Sequence, residues 1–113
     1  MRLTLCILIC LASSEVAWGQ EPKLVHILKG HDAAVGFIAF SPDSKLLASS
    51  QDGCQVMLWD VNSGESLGVL SKGQKYYGAL AFSPDGKLLA GGSSCRSVMF
   101  WDTTNLRRCF EIA

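Results

Sequence analysis

The sequence lacks a charge excess of either sign. Its 113 residues carry 10 Lys and Arg against 10 Asp and Glu, and only 18% of the chain is charged. A nucleic-acid-binding module usually collects basic residues on one face, and a charge-driven disordered segment needs a net excess. We therefore expect no nucleic-acid partner, and the length allows one folded domain at most.

Residue patterns that bind metals or cofactors are also missing. The cysteines show no Cys-x-x-Cys pair and no Cys/His spacing typical of zinc. The glycines lie in or beside strand-like segments, whereas a phosphate cradle needs a strand–loop–helix context. The sequence therefore predicts no cofactor, no metal and no catalytic residue.

The longest apolar run is short and stands at the start of the chain. It covers residues 3–12, interrupted only by Thr4, and follows Arg2. About ten residues fit the core of a signal peptide and fall short of the roughly 20 that span a bilayer. The small residues Ala17 and Gly19 fit the −3 and −1 positions of a cleavage site. We expect a signal peptide over 1–19, cleavage after Gly19, export to a periplasmic or secreted location, and no stable membrane span afterwards. An uncleaved signal anchor is the alternative.

Cleavage would leave an odd number of cysteines. Cys54, Cys95 and Cys109 remain in the mature chain, so they cannot all pair within one molecule. Export permits a disulfide, but the spacing does not demand one. The sequence leaves open whether any of them is bonded.

The rest of the chain is one pattern written twice. The segment from Ala39 to Ala48, AFSPDSKLLA, recurs as AFSPDGKLLA from Ala81 to Ala90, and VMLWD ending at Asp60 recurs as VMFWD ending at Asp102. Both recurrences have a spacing of 42 residues, which lies in the range of four-stranded propeller blades.

Short apolar segments between turn residues predict strands throughout this region. Ser-Pro-Asp followed by Ser or Gly is a turn sequence, and the intervening segments are β-branched or aromatic. The predicted strands are 24–28, 35–40, 46–50, 56–60, 66–70, 77–82, 88–92, 98–102 and 106–112.

These motifs resemble the WD40 repeat. Gly30-His31, the Ser-Pro-Asp turns, and Trp59-Asp60 with Trp101-Asp102 carry the resemblance, which covers residues 24–112. It implies an all-β fold: two four-stranded antiparallel propeller blades plus one N-terminal strand, an incomplete β-propeller. The repeat region is expected over 20–113, with blade 1 at about 30–70 and blade 2 at about 73–112.

The resemblance also implies a buried tetrad of His, Ser or Thr, Asp and Trp in each blade. In blade 1 the matching residues are His31, Ser49 and Trp59, while the Asp position falls on Gly53, one residue after Asp52. The tetrad is therefore complete only if the turn shifts its register. In blade 2 the matching positions are Gln74, Gly91, Cys95 and Trp101, so only Trp101 remains, and we expect apolar packing to replace the network.

The tetrad residues and the neighbouring loop residues also allow a catalytic or a partner-binding interpretation. Ser49, His31 and Asp52 are the residue types of a hydrolase triad, but Ser49 lies within a strand pattern and not on an exposed turn. Asp52, Tyr76 and Ser94 align with loop positions where the family commonly contacts partners, and tyrosine is favoured at interfaces. These three residues are the candidate contacts for a protein partner whose identity the sequence does not give.

The function predicted is that of a non-enzymatic WD40 scaffold for protein–protein interaction in an exported compartment. A fragment of a propeller-fold enzyme and a non-functional gene fragment are the alternatives. A signal peptide joined to this repeat is more typical of bacteria. Two blades fall short of the four to eight of a propeller, so each blade is expected to expose one apolar face suited to self-association. We favour a fragment of a longer propeller over a ring of copies, because the two blades differ in their tetrads.

Overall fold

A computed structural model describes residues 3–9, 23–51, 55–72 and 77–112. All regular structure in these ranges is β-strand, and none of it is a helix that could cross a membrane. The strands are β1 Leu3–Ile9, β2 Lys23–His31, β3 Val35–Phe40, β4 Leu46–Gln51, β5 Gln55–Asp60, β6 Ser66–Lys72, β7 Tyr77–Phe82, β8 Leu88–Ser93, β9 Ser97–Asp102 and β10 Arg108–Ile112.

The strands form two four-stranded sheets and one two-stranded ribbon. The first sheet has the order β3-β4-β5-β6 and the second has the order β10-β9-β8-β7, both antiparallel between neighbours. The ribbon consists of β1 and β2. The predicted all-β architecture with two four-stranded antiparallel sheets is confirmed.

The Ser-Pro-Asp segments form the same turn in both sheets. The Ser41 hydroxyl donates to a carboxylate oxygen of Asp43 at 2.6 Å and accepts the Leu46 amide at 2.9 Å. Ser83 and Asp85 repeat the first contact at 2.6 Å. The hydrogen bond from the serine hydroxyl is the main reason that the pKa of each Asp carboxyl lies below its ordinary value. The second reason is a hydrogen bond from the backbone amide of Lys45 to Asp43 and of Lys87 to Asp85. The turn is thus closed by side chains that both repeats contain.

The main core lies between the two sheets. Side chains alternate between the two sides of a strand, so each sheet has two faces. The front face of the first sheet consists of Ala48, Val56, Leu58 and Leu70, and the back face of the second sheet consists of Leu89, Met99 and Trp101. These residues form one buried cluster, so the front of one sheet packs on the back of the next.

The ribbon covers the back face of the first sheet. This face consists of Leu47, Met57 and Trp59, and Leu28 of β2 is buried against it. A Cβ atom at Gly30 would lie 2.9 Å from the Met57 methyl carbon, so glycine allows the ribbon to approach this closely. The expectation that one face of blade 1 has no neighbour is therefore wrong at the centre of the face. Its margins remain exposed at Ile38, Phe40, Leu67 and Val69.

The front face of the second sheet is open. At the 42-residue spacing it consists of Ala90, Val98, Phe100 and Ile112, and Phe110 stacks on Phe100 with ring centroids 4.4 Å apart. Val98, Phe110 and Ile112 are exposed to solvent. For blade 2, an exposed face is what the sequence predicted.

Most strand boundaries lie within two residues of the prediction, and the two ends of the repeat region show the main differences. The last strand begins at Arg108 and not at Leu106, because Leu106 has a φ of 60° and its amide closes a turn onto the Asp102 carbonyl at 3.0 Å. The N-terminal strand predicted at 24–28 is present in β2, and it pairs with β1, from Leu3 opposite His31 to Ile9 opposite Lys23. β1 falls within the segment predicted to be a signal peptide, where no strand was expected.

Candidate interaction site

One buried hydrogen-bonded network ties β2, β4 and β5 together. Nε1 of Trp59 donates to the Ser49 hydroxyl oxygen at 2.8 Å, and that oxygen lies 2.6 Å from Nε2 of His31. All three side chains are almost fully buried. The structure thus brings together His31, Ser49 and Trp59, which the sequence grouped in blade 1.

Gln51 is a further member of the network, which the sequence analysis missed. Its Oε1 lies 2.9 Å from Nδ1 of His31 and accepts the Asp32 amide at 3.0 Å. A carbonyl oxygen only accepts, so Nδ1 carries the imidazole proton in the neutral ring, and Nε2 accepts the Ser49 hydroxyl proton. Asp52, the residue expected to complete the tetrad, lies outside the described residues. Gln51 directly follows Ser50 in β4, and alternation places it on the same side as Ser49, which was the signal available in the sequence.

This network has a structural role and does not supply a nucleophile. The Ser49 hydroxyl oxygen has no solvent exposure and is already bonded to Trp59 and His31. A hydrolase triad needs its serine within reach of a substrate. The triad interpretation of Ser49, His31 and Asp52 therefore lacks an accessible serine.

The sequence contains one match to the nucleophile-elbow motif of hydrolases. Gly64-Glu65-Ser66-Leu67-Gly68 has the spacing G-x-S-x-G. That motif acts on a sharp turn from a strand into a helix. Here Gly64 lies between two strands, and Ser66 begins β6 opposite Trp59 of β5. The surroundings of Ser66 are those of a β-hairpin.

The second sheet replaces the network with packing and with different polar residues. A Cβ atom at Gly91 would lie 2.9 Å from the Trp101 ring, so the indole occupies the space where Ser49 stands in the first sheet. Cys95 is exposed, and Gln74 lies outside the described residues. At the same end of the sheet, Ser93 bonds to Ser97 at 3.0 Å, and Ser97 donates to Glu111. Neither residue of the Ser97–Glu111 pair falls on a tetrad position, so the repeat pattern did not indicate this second set of hydrogen bonds.

Ser94 is the one candidate contact residue that lies among the described residues. Ser94 is exposed in the turn that joins β8 and β9, beside Arg96, whose φ is 59°. Asp52 and Tyr76 lie outside the described residues. The loop from Asp32 to Ala34, which joins β2 and β3, is at this same end of the first sheet and is largely exposed. The described part of this end therefore presents Asp32 and Ser94 to solvent.

The remaining polar candidates have ordinary surroundings. Nε2 of His26 lies 2.9 Å from the Asn62 carbonyl oxygen, which connects the ribbon to the turn after β5. Among the described residues no group of His, Cys, Asp and Glu side chains could hold a metal ion. Cys95 and Cys109 are exposed free thiols, and Cys54 lies outside the described residues.

The fold and the network define the class of protein as a β-propeller repeat protein. Four-stranded antiparallel sheets stack front to back, and a buried His–Ser–Trp network braces one of them. The family model for the WD domain, G-beta repeat, matches residues 22–60 and 64–102. The chain belongs to the WD40 family.

Known proteins of this family share parts of their length with the chain. It is 37% identical over 54 residues to the nuclear distribution protein PAC1 of Coprinopsis cinerea, covering 48% of this chain and 12% of that protein. It is 40% identical over 48 residues to the meiotic recombination protein rec14 of Schizosaccharomyces pombe, covering 42% of this chain and 16% of that protein. Its structure superimposes on the WD40 repeats of RRP9 with a TM-score of 0.70 and 25% identity, over 76% of this chain and 28% of that one. The chain thus spans less than a third of each of these proteins.

Proposed function

We propose that this chain is a non-enzymatic scaffold for protein–protein interaction in an exported compartment. The observation that carries the proposal is the division of roles in the first sheet. The buried polar side chains hydrogen-bond to one another and stabilise the sheet, namely His31, Ser49 and Trp59. Apolar side chains and loop residues, by contrast, are exposed to solvent and available to a partner. The WD40 relatives, whose names assign them roles in nuclear distribution and meiotic recombination, support an interaction role more than a catalytic one.

We further propose that the two blades are part of a larger propeller. The second sheet exposes an apolar front face, and the ribbon covers only the centre of the back face of the first. Exposed apolar surface of this kind marks an interaction site. The missing blades come from a longer polypeptide, as the sequence analysis favours, or from further copies of the chain.

Export is proposed from the first 19 residues. The apolar run and the Ala17–Gly19 spacing support cleavage after Gly19, and such cleavage would remove β1 from the ribbon. The test is N-terminal sequencing of the protein recovered outside the cytoplasm. A mature protein that begins at Gln20 is expected, and recovery of chains that still begin at Met1 would contradict the proposal.

The partner-binding role is tested on the candidate contacts. We expect Tyr76→Ala, Asp52→Ala and Ser94→Ala to lower capture of partners from the exported fraction while changing the free energy of unfolding by less than about 0.5 kcal/mol, as exposed substitutions usually do. Glu65→Ala is the matched control, because Glu65 is exposed in the turn at the opposite end of the first sheet. Equal losses of binding and stability in the three variants would make these residues structural and would reject the proposed contact surface.

A further inference from the structure

The open front face of the second sheet has a built counterpart in the same chain. Inside the molecule, the front face of the first sheet is buried against the back face of the second. The two back faces carry the same three central apolar residues at the 42-residue spacing, Leu47, Met57 and Trp59 in the first sheet and Leu89, Met99 and Trp101 in the second. The front faces share alanine at Ala48 and Ala90 and valine at Val56 and Val98. They differ where Leu58 becomes Phe100, Leu70 becomes Ile112, Gly68 becomes Phe110 and Ser50 becomes Gly92.

We propose that the front face of the second sheet docks on the back face of the first sheet of a second copy of this chain. Such a contact repeats, between molecules, the packing that already joins the two sheets within one molecule. The inference deepens the proposed role as part of a larger propeller and names the source of the neighbouring blade. It depends on the packing faces, whose central back-face residues are the same in both sheets, and not on the tetrad residues, whose divergence favoured a fragment of a longer propeller.

The outer strands show where the second copy would lie. Leu28 in β2, Leu70 in β6 and Ile112 in β10 recur at the 42-residue spacing and have exposed fractions of 1%, 9% and 55%. Leu28 and Leu70 each pack in a core cluster on the back face of a following sheet. Ile112 has the same place in its strand and lacks such a sheet in the described part of the chain.

A second set of equivalent positions indicates that the molecule docked on the open front face is another copy of this chain. His26, Gly68 and Phe110 also recur at the 42-residue spacing, and the first two lie opposite the turn of the following sheet. The His26 ring lies over Gly64, where a Cβ atom would come within 2.7 Å of Nδ1, and Gly68 lies against Leu106, where a Cβ atom would come within 2.7 Å of Cδ1. A ring therefore faces a glycine, and a glycine faces a leucine.

Phe110 is a ring that is 47% exposed and has no such turn against it in the described residues. Within the chain, the ring of His26 faces the turn residue Gly64, and the turn residue Leu106 faces Gly68. Phe110 is a ring, so the turn that packs against it should carry a glycine, as at Gly64, and not a leucine. Gly64 of a second copy is that glycine. In the docked pair Phe110 takes the place of His26, and Ile112 takes the place of Leu28, both of which belong to β2.

Docking therefore requires β2 to leave the back face of the first sheet. β2 is held there by Leu28, by the His26 contact to Asn62, by the hydrogen bonds of His31 to Ser49 and Gln51 and by its pairing with β1. Removal of residues 1–19 would take away β1 and leave β2 with an unpaired edge. Export would then remove one of the contacts that hold β2, so the contact between copies is expected to be stronger after the signal peptide has been cleaved than before.

The test is sedimentation velocity, over a concentration series, of the cleaved chain that begins at Gln20. We expect association into species of two to four chains, which supplies the four to eight blades of a closed propeller. Ile112→Glu should weaken association at least about tenfold, whereas Ile27→Glu should change it by less than about twofold. Ile27 is the matched control, because it is an isoleucine with similar exposure, 44% against 55%, on the ribbon. A chain that stays monomeric, or an equal loss in both variants, would overturn the inference.

A size exchange tests the specific contact. Phe110→Gly should weaken association about tenfold, and Gly64→Leu added to it should restore most of the loss, because the pair then copies Gly68 and Leu106. Effects that simply add in the double variant would overturn the proposed contact. A monomeric chain that still binds a partner at its loops would remove this inference and leave the proposed scaffold role in place.

Discussion

Ser49 and Ser50 are adjacent buried serines in β4 for which the structure predicts very different effects of the same substitution. The Ser49 hydroxyl joins Trp59 to His31, whereas the Ser50 hydroxyl is buried with no hydrogen-bond partner in the part of the chain that the structure describes. Replacement by alanine removes the same oxygen at both positions. The difference between the two variants therefore measures the network and not the loss of volume.

The expected magnitude follows from the groups that each substitution leaves behind. Ser49→Ala leaves the Trp59 N–H and the His31 Nε2 buried without a partner, and an orphaned buried group costs about 1–3 kcal/mol. We expect a loss of about 2–5 kcal/mol in the free energy of unfolding. Ser50→Ala removes an unpartnered hydroxyl, so we expect a change within about 0.5 kcal/mol or a small gain.

The assay is urea unfolding followed by circular dichroism, with the slope compared among variants to verify that they unfold in the same way. Trp59→Phe added to Ser49→Ala should cost less than the two single losses together, because it removes one orphaned donor. Equal losses for Ser49→Ala and Ser50→Ala would refute the reasoning, since volume would then explain both.

Three further predictions concern the second sheet and the turns. Trp101→Ala should cost about 3–5 kcal/mol, because it empties a fully buried site; an unchanged urea midpoint would contradict the core assignment. Gly91→Ala should lower the free energy of unfolding by about 1–3 kcal/mol, because the added Cβ crowds the Trp101 ring. Gly92→Ala adds a Cβ with no atom within 4 Å, so it should lower the free energy of unfolding less in the same urea assay. The pKa values of Asp43 and Asp85 lie below 3.8 in the folded chain, chiefly through the serine hydroxyls, so their contribution is complete above pH 3.8 and is lost as the pH falls through the lowered values. Between pH 7 and pH 3, the free energy of unfolding should fall less in the double variant Asp43→Asn/Asp85→Asn than in the wild type. If it falls equally in both, these two aspartates do not cause the acid-induced loss of stability.

The repeat spacing allowed the strands to be predicted closely. The Ser-Pro-Asp turns and the Trp-Asp segments fix where β3, β5, β7 and β9 begin and end to within one residue, because turn geometry and side-chain alternation are local properties. The last strand was placed two residues early, since the left-handed conformation of Leu106 belongs to a turn closed by backbone contacts. Non-glycine residues seldom adopt that conformation, so a leucine at this position did not indicate it.

The candidate site was predictable only in part. His31, Ser49 and Trp59 follow from their spacing in the repeat, but the partner of His31 depends on which side chain of the β4–β5 hairpin reaches Nδ1. That choice fell on Gln51 among the described residues, because β4 extends one residue beyond its predicted end. Asp52 and Tyr76 stay predictions, as do the export of the chain and its bacterial origin.

What the sequence determined by itself is the local and periodic part of the protein: the strands, the turns, the apolar alternation and the membership of a repeat family. Only the tertiary structure decided which faces meet. Alternation says that Leu28, Leu70 and Ile112 are equivalent, but burial depends on whether a following sheet stands against each of them, which is a contact between distant residues. The same physical reason separates His26 over Gly64 from an exposed Phe110, because a side chain's environment is set by the neighbouring sheet and not by its own strand.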